Sequence, residues 1–171
     1  MTVDKKKSDL ILNELKRRKA GEKIIEVEEQ KVKIVIFALA GDYYAFYGED
    51  VKEILHRSTI YYVPGSPDFI LGVINIRGDI ESVININKFL KLRDPEISDK
   101  SRVAVVSKDG IRSGVLVDSV EEVQDVPASL IKPPLSTLGK ATGDFVAGEL
   151  IYNNKNITLL NIGKIFAEIT V

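Results

Sequence analysis

The sequence predicts a mainly β fold built from two similar halves, each a small barrel or sandwich, and three observations lead to this prediction. Short stretches rich in Val, Ile, Phe and Tyr recur from residue 32 onward, separated by Gly, Asp, Asn and Pro. The segment 63–90 has the pattern of a hairpin that runs into a short helix. A version of its second part, 72–90, occurs again at 148–166, which indicates an internal duplication.

The hairpin within 63–90 is the clearest element of the chain. Apolar residues fill 70–76, the tight turn Arg77-Gly78-Asp79 follows, and a second apolar run leads into a helix predicted over 87–92. Glycine at the centre of the turn supplies the φ freedom that a tight hairpin needs. The other predicted strands are 32–39, 43–47, 51–56, 103–108, 111–117, 120–126, 145–152 and 157–160, and a helix follows at 161–168.

Two gapless alignments relate the halves. Residues 72–90 align with 148–166, and residues 41–54 align with 110–123. Because amphipathic hairpins share an apolar pattern, chance similarity is the alternative to a duplication. The identical pairs are Gly41/Gly110, Val51/Val120, Glu53/Glu122, Gly72/Gly148, Asn85/Asn161, Ile86/Ile162 and Lys88/Lys164.

The same alignment predicts a seam between the halves. Val51 aligns with Val120, and Ile54 aligns with Val123. If the halves pack around a pseudo-twofold axis, these apolar positions line one shared seam. Such a seam is either interior packing or a binding groove.

A charged pair is predicted in the first half. Glu53 lies inside the otherwise apolar stretch 51–55, and Arg77 ends an apolar strand. A long cationic side chain in that position needs a partner or open solvent. We therefore predict a salt bridge between Glu53 and Arg77, the alternative being two exposed charges that never meet.

Composition excludes several classes of protein. A chain of 171 residues favours one domain in which the halves share a core. The formal net charge is -1, with acids and bases interspersed, so the basic stripe of a nucleic-acid-binding protein is missing. Apolar runs such as 34–40 are too short to span a bilayer, and the N-terminus lacks a signal-peptide core. A cytoplasmic location is the default expectation.

No catalytic constellation can be assembled from the sequence. The chain has no cysteine and one histidine, His56, which we interpret as a surface residue at the end of a strand. Adjacent acids such as Glu121 and Glu122 face opposite sides of a strand. A phosphate-binding loop motif is also absent. The sequence therefore predicts no enzyme, no metal site and no cofactor.

Residues 1–30 form an N-terminal extension with a helix predicted over 8–20. Ser8 can cap this helix, and Gly21 is a suitable terminator. An apolar stripe formed by Leu10, Ile11, Leu12 and Leu15 either docks a partner or packs on the chain's own barrel. We favour packing or fraying, since short isolated helices are marginal in water.

Two strings in the first half carry a resemblance to a known family. They are V-P-G-x-P-x-F-I-x-G-V-I-N-x-R-G, which starts at Val63, and F-x-L-x-x-x-x-Y-A-F followed by V-x-E-I, between Phe37 and Ile54. The second half closes with I-x-L-L-N-I-x-K-I. Over residues 32–168 the chain resembles the CheW family of chemotaxis coupling proteins.

The resemblance implies a fold and a function. The fold is two five-stranded SH3-like β-barrels side by side within one domain, 31–168, with subdomains of about 30–93 and 94–168. The function is a non-catalytic adaptor that joins the cytoplasmic tips of chemoreceptors to the regulatory domain of the histidine kinase CheA. No nucleic acid and no direct membrane insertion are implied.

The resemblance also implies a receptor-binding groove between the barrels, with the kinase bound at the barrel ends. Gly48 departs from the family pattern, which commonly has an apolar side chain there. Ser82 and Asn85 depart as well, at positions where proline and aspartate are common. The groove positions are Val35, Gly48, Val51, Ile54 and Val120.

Three alternatives remain on the sequence alone. The adaptor could serve a non-flagellar pathway, such as twitching or gliding. A nucleic-acid-binding small barrel would need basic residues among exposed aromatics, whereas the aromatics of 43–47 lie among acids and small residues. A small-molecule enzyme would need a polar pocket that the sequence does not display.

Overall fold

The structure is a computed structural model that describes residues 2–24, 29–56, 58–134 and 140–170. It divides into two compact units, Met1–Gln30 and Lys31–Val171. The first unit contains helix α1, Thr2–Ile24. The prediction of an N-terminal helix is confirmed, although the helix is longer than the predicted 8–20. Its four apolar stripe residues are all more than half exposed.

The second unit is built mainly of strands, joined by short turns. Its helices are α2 (Asn87–Leu90), α3 (Lys140–Gly143) and α4 (Ile162–Ile169). Its strands are β1 (Lys31–Leu39), β2 (Asp42–Tyr47), β3 (Val51–Leu55), β4 (Ile70–Ile76), β5 (Asp79–Ile84), β6 (Arg102–Lys108), β7 (Ile111–Val117), β8 (Ser119–Pro127), β9 (Val146–Tyr152) and β10 (Lys155–Leu160).

These strands form two five-stranded sheets, which confirms the predicted mainly β fold. The first sheet has the order β8-β1-β2-β10-β9, and the second has the order β3-β6-β7-β5-β4. Neither ladder closes into a continuous barrel. Instead, an isolated bridge links the segment after one edge strand to the opposite edge, at Lys132–Glu149 in the first sheet and Tyr61–Val73 in the second.

The sheets do not coincide with the predicted subdomains 30–93 and 94–168, and this part of the prediction is corrected. The hairpin β1–β2 lies in the sheet with β8, β9 and β10, while the hairpin β6–β7 lies in the sheet with β3, β4 and β5. The two halves have exchanged their first hairpins. The repeat shows which strands of the two halves are equivalent. Because equivalent strands bury similar apolar faces, the repeat does not show which sheet each hairpin joins.

Three apolar clusters hold this unit together. Each sheet has a cluster of its own, and a third, the central cluster, contains residues of both sheets and of α2 and α4. Because successive strand residues face opposite sides, Ile34 and Ile36 serve the first sheet, while Phe37 and Leu39 serve the central cluster. The central cluster includes Phe37, Leu39, Phe46, Ala104, Val106, Val117, Ile162 and Phe166.

The isolated bridges explain why one glycine recurs in the duplication. Gly72 has a φ of 154°, and a Cβ on it would overlap the carbonyl oxygen of Tyr61. A Cβ on Gly148, its repeat mate, would lie 2.8 Å from the carbonyl oxygen of Lys132. In both copies the crossing segment can approach the edge strand only where a side chain is absent.

Candidate functional site: the junction of the two sheets

Val51 and Val120, which align in the repeat, lie at equivalent places in the two sheets. Val51 on β3 is opposite Val106, and Val120 on β8 is opposite Phe37. Residues directly opposite each other in an antiparallel pair share one face of the sheet. Both valines are partly buried and pack against the central cluster. They therefore lie at the junction of the two sheets.

Ile54 and Val35 lie on the same two faces. Ile54 is opposite Ala104, a member of the central cluster, and Val35 is opposite Phe46, another member. Val35 is only 4% exposed, whereas Ile54 is partly exposed. Val35 thus supports the junction surface from beneath, and the other three predicted residues present apolar area to it.

Sequence reasoning aligned Val123 with Ile54 but did not assign it to the groove. Val123 is opposite Val35 on the junction face of β8, and it is 51% exposed. An apolar side chain so exposed beside a buried valine extends the surface available to a partner. Its signal in the sequence was the alignment itself, which pairs Val123 with Ile54.

Gly48 lies in the short 3₁₀ turn Gly48–Asp50 between β2 and β3. A Cβ at this position would lie 2.6 Å from Cγ of Lys33. The aliphatic stem of Lys33 thus occupies the space that a side chain at position 48 would fill. The space beside the turn is therefore filled without a side chain at position 48.

A buried carboxylate anchors the same turn. Asp50 is 4% exposed and accepts a hydrogen bond from Nζ of Lys108, at 3.2 Å. Nζ of Lys108 also lies 3.9 Å from Glu49. The hydrogen bond to Asp50 raises the pKa of Lys108 above its ordinary value. The two partners are far apart in sequence, so residue spacing gave no sign of this contact.

Glu53 and Arg77 form a salt bridge, with two hydrogen bonds of 2.7 and 3.2 Å. They belong to opposite edges of the second sheet, since Glu53 is on β3 and Arg77 is in the turn after β4. In the first sheet, Gln124 on β8 donates to the hydroxyl of Tyr152 on β9 at 2.6 Å. Each sheet therefore has a polar link between its two edge strands.

The described residues show no group of acids or histidines that could hold a metal ion. His56 is exposed and lines a pocket of about 530 Å³ with Asp99 and Arg102. Within the described part of the chain, His56 forms no hydrogen bond with these neighbours. Among the same residues, no helix combines the length and the apolar character needed to cross a bilayer.

Fold and junction together describe a class of protein: a two-sheet β domain with partly exposed apolar residues at the junction of its sheets. Comparison with known proteins supports this class. The family model for the CheW-like domain matches residues 33–170. The chain therefore belongs to the CheW family, which consists of non-catalytic scaffold proteins.

Individual relatives agree with the family model. The chain is 35% identical to the chemotaxis protein CheW of Bacillus subtilis over 130 residues, which are 76% of this chain and 81% of that protein. It is 30% identical to protein FrzA of Myxococcus xanthus over 120 residues, 68% and 74% of the two chains. The crystal structure of the scaffolding protein TtCheW from Thermoanaerobacter tengcongensis matches with a TM-score of 0.71 and 31% identity, covering 80% of this chain and 88% of that one.

Proposed function

We propose that this chain couples chemoreceptor cytoplasmic tips to the regulatory domain of the histidine kinase CheA, without catalysis of its own. The observation that carries the proposal is the convergence of four apolar residues, Val35, Val51, Ile54 and Val120, on the junction faces of two different sheets. A helix that docks into a groove relies on apolar anchors of this kind.

The receptor helix would cover the partly exposed members of this set, with Val123 at one side. Covering apolar area stabilises a complex by about 25 cal/mol per Å². The buried Val35 and the Asp50–Lys108 contact keep β1 and the turn before β3 in place. This arrangement supports recognition by a surface that is formed before the receptor binds.

The kinase would use a second surface. Beside β4 and β5 of the second sheet, Tyr61, Tyr62 and Ile80 are each more than 60% exposed. Clusters of exposed apolar residues mark sites of protein association. These residues lie around β4 and β5, whereas the receptor surface involves β1, β3 and β8. Two separate surfaces are what a coupling protein needs.

In this proposal the protein acts in the cytoplasm and reaches membrane receptor arrays only through its partners. A second candidate is the same adaptor role in a non-flagellar pathway. The similarity to FrzA, a relative not named for chemotaxis, is the observation that favours keeping this candidate. Binding to receptor tips of each pathway separates the two.

The test is a titration of labelled receptor-tip peptide against the wild-type chain and Val51→Asp. A charge desolvated at the centre of the groove costs about 3 kcal/mol, so the affinity should fall roughly a hundredfold. Ile151→Asp is a matched control, because Ile151 is an exposed apolar residue on β9, away from the junction.

Circular dichroism on both variants separates binding from folding. Val51 is partly exposed, so Val51→Asp should keep the wild-type spectrum and should still bind the kinase regulatory domain. Equal affinities of wild type and Val51→Asp for the receptor tip would remove the groove assignment. A melted variant would place Val51 in the core instead.

A further inference from the structure

A small polar pocket lies beside the β1–β2 turn, apart from the residues of the receptor surface. Its volume is about 200 Å³. Its walls come from that turn, from α2 and the loop that follows it, and from the link between β7 and β8. They include Ala40, Asn87, Arg93, Asp94, Glu96 and Asp118.

Asn87 contributes a buried oxygen without a partner. The residue is 0% exposed, and its Nδ2 donates to the carbonyl of Arg93 at 2.8 Å. This bond fixes the orientation of the amide and leaves Oδ1 as an acceptor. No group among the described residues donates to that atom. A buried acceptor without a donor is costly.

Asp118 contributes a second oxygen of the same kind. Its Oδ2 accepts a hydrogen bond from the backbone N–H of Ala40 at 2.8 Å. Its Oδ1 is buried and has no donor within the described part of the chain. Asn87 and Asp118 both line the pocket, and each has one buried oxygen that requires a donor. Three carboxylates and one guanidinium line it. Asp94 is already paired with Lys88 at 3.2 Å, and the remaining carboxylates of Glu96 and Asp118 favour a cationic donor.

The duplication shows what kind of donor fits. In the repeat, Asp118 aligns with Glu49 and Asn87 aligns with Gly163. At that equivalent place the ammonium of Lys108 contacts Asp50 at 3.2 Å and Glu49 at 3.9 Å. The stem of Lys108 passes Gly163, since a Cβ there would lie 3.6 Å from its Cγ. In the second copy a lysine head group therefore lies 3.9 Å from Glu49, the repeat mate of Asp118, and its shorter contact is to Asp50, the repeat mate of Ser119.

The first copy cannot supply such a group from its own strand. β6 ends at Lys108, whereas β1 ends at Leu39, which is fully buried in the central cluster. We propose that the pocket beside the β1–β2 turn binds the ammonium group of a lysine on a partner protein. An ammonium offers three donors, enough for both unpaired oxygens and one of the rim carboxylates. The inference does not depend on the receptor groove.

The test uses Nα-acetyl-lysine methylamide as the probe, titrated into the full ¹⁵N-labelled chain at constant ionic strength. We expect saturable shifts of the Ala40 backbone amide and the Asn87 side-chain amide. The Nε-acetylated probe has no charge and should cause none. Sodium chloride should cause none either, since a sodium ion cannot donate a hydrogen bond to the two oxygens.

Asp118→Asn is the decisive variant. In this variant the side-chain amide oxygen can still accept the hydrogen bond from the backbone N–H of Ala40. The amide NH₂ group then lies where Oδ1 of Asp118 was, so a donor replaces an acceptor. Loss of one charge-assisted hydrogen bond should lower the affinity for the probe roughly tenfold or more. Glu96→Gln, at the exposed rim, is a second variant that should also weaken binding. Glu49→Gln is the matched control in the other copy and should bind the probe like wild type.

Several outcomes would overturn the proposal. They are shifts that do not saturate, shifts of equal size with sodium chloride or the acetylated probe, and equal affinity of wild type and both pocket variants. Each of these would leave ordinary solvent as the donor to Asn87 and Asp118.

Discussion

Arg77 and Glu53 connect the two edge strands of the second sheet through a paired hydrogen bond. The guanidinium donates at 2.7 Å and 3.2 Å to the two carboxylate oxygens. Arg77 is 78% exposed at its side chain, while Glu53 is 24% exposed. Edge strands present unpaired backbone groups, and this pair holds the two edges near the Tyr61–Val73 bridge. The salt bridge therefore helps to close the second sheet and also places a charged pair on its surface.

Arg77→Ala should lower the free energy of unfolding by at most about 1 kcal/mol, because an exposed ion pair contributes little. Its local effect should be larger. The amides of Tyr61 and Val73, which bond each other across the edges at 2.8 and 2.9 Å, should exchange hydrogen faster. Arg112→Ala is the control, since Arg112 pairs with Glu81 at 3.4 Å without joining the two edges. Equal exchange in both variants would argue against the closure role.

Gly72→Ala should be strongly destabilising. The added Cβ meets the carbonyl of Tyr61, and the backbone φ of 154° is strained for any other residue. A cost of about 2 to 3 kcal/mol is expected from strain and loss of the bridge. Urea unfolding measures it.

Gly41→Ala provides the comparison for this substitution. Gly41 has a φ of 88°, but a Cβ there would meet nothing within 4 Å. The left-handed backbone conformation is then the one source of destabilisation, and it costs about 1 to 2 kcal/mol. If Gly72→Ala proved the milder of the two, the close approach of the crossing segment would not be the reason for glycine at position 72.

Asp94 should contribute stability that depends on pH. Hydrogen bonds from Lys88 and Asn85 hold its pKa below the ordinary value. A carboxyl whose pKa is lowered by folding stabilises the protein above its unfolded pKa, near 3.9, and loses this contribution as the pH falls through the lower folded pKa. Wild type should therefore be more stable than Asp94→Asn at neutral pH. The difference should disappear under strongly acidic conditions, and a difference that did not change with pH would contradict this account.

The positions of most strands could be predicted from the sequence, and the reasons are physical. Runs of β-branched residues bounded by Gly, Asp and Asn located them, as for the strand predicted over 32–39 and found at Lys31–Leu39. The exchange of hairpins was not predictable. β1 and β6 offer the same alternation of apolar residues to their neighbours, so the pattern alone permits either pairing.

The candidate site was predictable to a similar degree. The repeat placed Val51 and Val120 at equivalent positions, and the charged pair followed from two charges in apolar surroundings. The stem of Lys33 against Gly48, and Lys108 against Asp50, were missed. Lys33 and Gly48 follow the Ile34–Tyr47 pair of the β1–β2 hairpin, whereas Asp50 and Lys108 are 58 residues apart in sequence. In both cases a lysine near a turn carries no mark of the partner that the fold brings to it.

Gly48→Val tests whether the junction surface lacks apolar area at this position. A Cβ at position 48 would lie 2.6 Å from Cγ and 3.0 Å from Cβ of Lys33, and because the Cβ is fixed by the backbone, rotation of the lysine side chain relieves only part of the overlap. The variant should therefore fold with a free energy of unfolding about 1 to 3 kcal/mol below wild type. Partial burial of the valine under the receptor helix should stabilise the complex by roughly 1 kcal/mol, so receptor-tip affinity should rise about fivefold. The double variant Lys33→Ala with Gly48→Val removes the Cγ contact and keeps the Cβ contact at 3.0 Å, so it should recover part of the lost stability and should bind at least as tightly. Weaker binding by both variants would show that the helix needs the open space at Gly48, and the docking pose over Val51 and Val120 would have to be revised.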